Sequence, residues 1–151
     1  MKTKIFLLIF LSLFFTTHNA AAFSHNSSQS KNVVIAKKLF EYFNKHDWEE
    51  MAGLYADPAE FLDPAFGQQA VKRTRRQTIQ KHKEMQDMSK DIRDDVVQVF
   101  PSGDNTVIVE FVSSGTGSDG TKWTLPLCII FTIENGQITK DHTYYDNPSE
   151  K

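Results

Sequence analysis

The sequence predicts an α+β domain in which helices pack on one face of an antiparallel sheet, and two features predict it. Apolar residues recur at helical spacings of three and four in the first half of the chain and with a period of two in the second. Short turn sequences join the period-two stretches, as they join consecutive antiparallel strands, and no helix-length segment intervenes.

The helices come first. Between Val33 and Asn44, the residues Val33, Ala36, Phe40 and Phe43 share one apolar face. Asp47 followed three places later by Glu50 is a capping-box pattern that opens a second, short helix through Leu54 or Tyr55. Asp57-Pro58 is expected to stop it, because proline pushes the preceding residue out of the α region. Ala59 to Asp63 then reads as a short extended segment closed by Asp63-Pro64. Thr74 with Gln77 repeats the capping-box pattern and starts a third helix that runs to about Met88.

Four strands are expected afterwards: Ile92 to Phe100, Thr106 to Ser114, Lys122 to Glu134 and Gln137 to Asp146. The first two are separated by the turn cluster Pro101-Ser102-Gly103-Asp104-Asn105, and the last two by Asn135-Gly136, a tight hairpin sequence. In the third strand Trp123, Leu125, Leu127, Ile129, Phe131 and Ile133 have one parity, the mark of a strongly buried face. Residues 31–147 contain no repeat and no linker and read as one domain, followed by a tail at 148–151.

Residues 1–22 have the form of a secretory signal peptide. Lys2 and Lys4 precede the apolar run Ile5 to Phe15, and Ala20-Ala21-Ala22 supplies the small residues of a cleavage site. The run is too short for a spanning helix, which needs about 20 residues. Cleavage near Ala22 implies a secreted or periplasmic protein of 129 residues with no integral membrane segment. It also leaves a polar leader at 23–30 that is expected to be flexible.

Composition narrows the class further. With 40% hydrophobic and 24% charged residues, the chain has enough apolar material for one core, which excludes wholesale disorder. A lone cysteine, Cys128, excludes a disulfide framework and a Cys-rich zinc module, and inside an apolar strand it reads as packing. A net charge of -2 gives no expectation of a nucleic-acid partner. His18, His25, His46, His82 and His142 show no metal-ligand spacing, so no metal is expected. Gly115 to Gly120 satisfies G-x-G-x-x-G but lies between strands and opens no helix, so it reads as a hairpin loop, and no cofactor is expected. The basic cluster Lys72, Arg73, Arg75, Arg76, Lys81, His82 and Lys83 fits an anionic partner or a solvated face. The pattern favours the solvated face, countered by Asp91, Asp94 and Asp95.

Leu54-Tyr55-Ala56-Asp57 through Asp63-Pro64, with the hairpin from Phe131 through Asn135-Gly136 to Tyr144-Tyr145-Asp146, resembles the nuclear transport factor 2-like superfamily. That superfamily includes ketosteroid isomerases and SnoaL-like polyketide cyclases. The resemblance implies a cone-shaped roll: three N-terminal helices on a strongly bent, mostly antiparallel sheet, a deep pocket between them, and a homodimer formed through the outer sheet face. It places Asp63 where the isomerases carry their general base. Leu39 stands where they carry a tyrosine oxyanion donor, and Cys128 or Ile129 where they carry a protonated aspartate. Both donors are therefore missing, and losing one such donor typically costs about 100- to 1,000-fold in rate. The final-strand acid of epoxide hydrolases of this fold falls on Thr143, with Asp141 one pocket-facing step earlier, so that pattern is not reproduced either.

Asp63 has two readings. As a general base it needs a partly desolvated site that raises its pKa above about 3.9; as part of an Asp-Pro turn it simply accepts backbone N–H groups. On the last strand only one parity can face a pocket. The resemblance favours Asp141, Thr143 and Tyr145 over Lys140, His142, Tyr144 and Asp146. The expected ligand is a small, largely apolar molecule, with Phe40, Phe43, Phe66, Trp123 and Leu127 as walls and Asp63, Asp141, Thr143 and Tyr145 as polar points. The expected function is binding of that molecule, with proton abstraction of isomerase or cyclase type by Asp63 left open within it; the alternative is a non-catalytic binding or dimerisation scaffold.

Overall fold

The computed structural model describes residues 20–146, with side chains from residue 31 onward. The expected signal peptide up to residue 19 and the tail at 148–151 lie outside them. In order, the elements are α1 (Ala20–Asn44), α2 (Trp48–Gly53), β1 (Tyr55–Leu62), a 3-10 turn (Pro64–Phe66), β2 (Val71–Arg73), α3 (Arg75–Met88), β3 (Arg93–Ser102), β4 (Thr106–Thr116), β5 (Lys122–Glu134) and β6 (Gln137–Tyr144). Three helices pack on a single six-stranded sheet of order β2-β1-β6-β5-β4-β3. All pairings are antiparallel except that of β1 with β6. This is the expected α+β cone.

Both expected helix starts are present. The Asp47 side chain accepts from Glu50 N–H at the start of α2. At α3, Thr74 and Gln77 exchange side-chain and backbone bonds in a complete capping box. Thr74→Ala removes half of that exchange. It should cost about 1 kcal/mol in urea unfolding, and an unchanged midpoint would show that the cap contributes nothing.

Four boundaries need correction. α1 is already helical at Ala20, the first described residue, so the backbone is helical through residues 23–30, where the composition suggests a leader; no Pro or Gly stands between Ala20 and Asn44 to break it. α2 ends at Gly53, ahead of Asp57-Pro58, which lies inside β1 as a cis peptide at a register shift against β6. Proline is tolerated there because the irregular stretch does not use its missing donor. The three-residue strand β2 is too short to leave a periodic trace in the sequence. β4 runs two residues past Ser114, into the glycine-rich loop. The Asn135-Gly136 hairpin forms as read, with φ of 52° and 79°, the left-handed region its turn requires.

Along β5 the inward parity is the expected one, and Ile129, Phe131 and Ile133 are buried. They meet Val107, Val109 and Phe111 of β4, Ile138 of β6, and Ala36, Phe40 and Phe43 of α1 in one core. Phe40 sits edge-on to Phe111 at 4.9 Å between ring centres. Toward α3 this core opens into a hollow.

Candidate functional site

A cavity of about 450 Å³ lies between the inner sheet face and helices α1 and α3, within the range of small-molecule sites. Its walls include Phe40, Phe43, Phe66, Trp123 and Leu127, and its polar lining includes Asp63, Asp141, Thr143 and Tyr145. Asp141 and Thr143 of β6, and Tyr145 just beyond it, therefore face inward, while Tyr144 is exposed on the outer face and His142 sits beside Glu60 there. Cys128 has the outward parity of β5, whereas Ile129 and Leu39 line the cavity with hydrocarbon.

Asp63 follows β1 and caps the 3-10 turn. Its Oδ1 accepts from Ala65 N–H at 2.8 Å and from the Tyr145 hydroxyl at 3.1 Å, and its Oδ2 from Lys81 Nζ at 2.7 Å. Both readings of the Asp-Pro step thus hold together: the carboxylate caps a turn and also lines the cavity. The expected rise in its pKa is corrected. Burial alone would raise the carboxyl, but the Lys81 charge and hydrogen bond, joined by Ala65 and Tyr145, outweigh burial and hold it below 3.8. Asp63 is ionised at neutral pH.

Asp141 differs. It is buried and accepts from Tyr55 at 2.6 Å and Thr143 at 3.0 Å. Burial pushes it up to about 6; the two hydroxyl bonds oppose the rise, the Asp63 charge adds to it, and Lys81 opposes it. Burial and the adjoining Asp141 raise the Tyr55 phenol well above its ordinary value, so Tyr55 remains a donor. The site therefore holds two carboxyls whose surroundings drive them in opposite directions, an arrangement suited to dividing acid and base roles.

The basic cluster does not form the solvated face that the sequence favours. Lys72, Arg76 and Lys83 are exposed, but Arg73, Lys81 and His82 line the cavity. Lys81 Nζ lies 3.8 Å and Arg73 Cζ 4.5 Å from the centre of the Phe66 ring. Arg75 Nε donates to the Tyr55 carbonyl at 2.8 Å, fixing β1. His82 packs against Phe43 and Trp48. Burial drives its pKa down to about 4, and Nδ1 lies 2.7 Å from the Thr78 carbonyl. The neutral ring therefore carries its proton on Nδ1 and leaves Nε2 an acceptor. The expected counter-charges also serve elsewhere: Asp91 accepts from Thr116, Asp95 pairs with Arg93, and Asp94 is buried.

Sequence reasoning missed Tyr55, Lys81, His82 and Asp94 as cavity residues. The trace for α3 was present: Thr78, Lys81, His82 and Met85 have one-face spacing, and all line the cavity. A stripe made of polar residues looks like a surface.

Residues 36–140 match the family model of the SnoaL-like domain. The chain belongs to that family. The SnoaL-like domain is also similar in fold to many solved structures. A protein of ketosteroid isomerase-like fold from Catenulispora acidiphila, solved with trimethylamine, is 18% identical, with a TM-score of 0.66 over 74% of this chain and 85% of that one. A protein from a soil-derived mobile gene cassette is 16% identical, with a TM-score of 0.70 over 80% and 92%. The epoxide hydrolase/cyclase-like enzyme SalBIII, with a role in pyran ring formation in salinomycin, is 16% identical, with a TM-score of 0.68 over 78% and 92%. At these identities the likeness is one of fold. No curated protein matches the chain.

Among the described residues, no group of three or more His, Cys, Asp or Glu side chains is placed to hold a metal. Among them, too, no helix is long and apolar enough to cross a membrane.

Proposed function

We propose that this SnoaL-like domain binds a small, largely apolar molecule in its cavity and moves a proton on it, with Asp63 as the accepting group. The chemistry is of isomerase or cyclase type. One observation carries the reading: an ionised carboxylate lines a mostly hydrocarbon cavity with a phenol and an ammonium on its oxygens and a second, raised carboxyl nearby. In such a site Asp63 takes a proton from an acidic C–H, and Asp141, with its higher pKa, is suited to return one. Negative charge developing on the ligand finds a donor in Lys81, whose ammonium has protons beyond the one on Asp63, since Leu39 and Ile129 offer none. That departure separates the site from a steroid isomerase.

A second reading, a non-catalytic binding scaffold, is favoured by one feature. Both oxygens of Asp63 already accept hydrogen bonds and its basicity is lowered. The same proposal includes export under the N-terminal signal and a homodimer through the outer sheet face, where Phe100 and Tyr144 are exposed.

Native mass spectrometry of the exported protein tests these points together. The expected species is a dimer of a chain shortened near Ala22, carrying a small organic molecule. A full-length monomer without one would overturn the proposal. Incubating the released molecule with protein in deuterium oxide then separates the two readings: deuterium uptake supports proton transfer, and its absence leaves the scaffold.

A further inference from the structure

Asp94 lines the cavity, yet neither the core nor the Asp63 cluster uses its side chain. It lies near the start of β3 opposite Ser113 of β4 and is 7% exposed. Asn44 at the end of α1 fixes its backbone from both sides, accepting from its N–H at 2.7 Å and donating to its carbonyl at 2.8 Å. The side chain thus starts from an anchored position. Its Oδ1 is buried and has no hydrogen-bond partner. Leaving a buried polar atom unpaired costs about 1–3 kcal/mol, and very few such atoms occur in folded proteins.

Its position in the sheet gives that atom a use. From β6, which carries Asp141 and Thr143, to β3 is three strand steps, roughly 14 Å along the sheet. Phe111, Leu127 and Leu125 line the interval. Along its sheet wall the cavity therefore has polar groups at two ends and hydrocarbon between them.

We propose that Asp94 is a second polar subsite, which receives a carbonyl oxygen at the far end of an elongated, otherwise apolar ligand whose other end meets Asp63. The inference rests on the cavity being a ligand site. Burial raises the Asp94 carboxyl to about 7, with Ser113 opposing the rise and the Asp95 charge adding to it. Near neutrality a large fraction carries the proton that such a carbonyl accepts. The substrate class is then an extended hydrophobic ketone, ester or similar carbonyl compound with a polar group at each end.

Calorimetric titration of the whole protein at mildly acid pH tests this with two probes. One is para-phenylphenol; the other is the same molecule with an acetyl group at the far para position. The acetyl compound should bind wild type up to about tenfold more tightly, the value of one added hydrogen bond. Asp94→Leu should erase that preference while holding para-phenylphenol within about threefold, and Asp94→Asn, which still donates, should keep it. The infrared carbonyl stretch of the acetyl probe bound to wild type reads the same contact without any variant, and should fall below its value in hexane. Equal affinities, a preference surviving in Asp94→Leu, or an unshifted stretch would overturn the subsite while leaving the cavity a ligand site. Failure of both probes to bind would remove the cavity reading and the subsite with it.

Discussion

Asp63→Asn is expected to slow deuterium uptake into the bound molecule by about 10²- to 10⁴-fold, the usual contribution of a positioned general base. The amide keeps the shape of the carboxylate and its contact with the Tyr145 hydroxyl but cannot take a proton. Lys81→Met makes a different prediction. In wild type the charge of Lys81 holds Asp63 below 3.8 against its burial, so no acid limb from Asp63 should appear in the rate above about pH 5. Without that charge burial dominates, the carboxyl moves upward, and an acid limb should enter the rate profile within the carboxylate range. Above that limb the variant gains a stronger base but loses the Lys81 donor to the developing charge, so the new limb and not the plateau rate is the readout. Uptake undiminished in Asp63→Asn would remove Asp63 as the base. A Lys81→Met profile identical to wild type would show that the ion pair does not set its strength.

The second large effect is on stability, and it runs against the usual direction. Asp94 and Asp141 are raised from 3.8 to about 7 and about 6, so the folded state binds more protons than the unfolded chain and stability falls as pH rises from about 4. His82, lowered from 6.5 to about 4, acts oppositely, adding stability as pH rises through the same window. Two groups oppose one up to about pH 6, the balance is near even to about 6.5, and Asp94 alone acts from there to about 7. Asp63, whose pKa is lowered, supplies stability that is fully present above 3.8 and fades only below it. Urea unfolding should therefore show a more stable protein near pH 4.5 than near 7.5. In Asp94→Asn that decline should vanish, since Asp94 alone accounts for about 4 kcal/mol at about 1.4 kcal/mol per pH unit. A wild-type midpoint that climbs steadily across this range, or an Asp94→Asn slope equal to wild type, would contradict the assignment.

Much of the fold was legible because its elements are locally determined. The Thr74–Gln77 cap, the Asn135-Gly136 turn and the parity of β5 each depend on a few neighbouring residues, and each formed as read. β1 was harder, because part of what holds it is remote: β6 pairs with it from near the end of the described chain, and Arg75 of α3 bonds the carbonyl of its first residue. The polar cluster was only half visible. Asp63, Asp141, Thr143 and Tyr145 came from a family likeness and a choice of parity, and all four line the cavity. Lys81 was concealed among surface-like cations, and Asp94 between two aspartates that do face water. Charge type alone does not separate a solvated ion from a buried one; that distinction comes from the elements folded over it.

The parallel seam between β1 and β6 also bears on synthesis. β1 leaves the ribosome long before the strand it must lie beside, and the phenol that meets Asp63 follows that aspartate by 82 residues. Until then the growing chain presents one flank of β1 without its backbone partner, an arrangement prone to sticking to neighbours. A message truncated at the last hairpin would encode all three described helices and Asp63, yet one rim of the hollow would never be built.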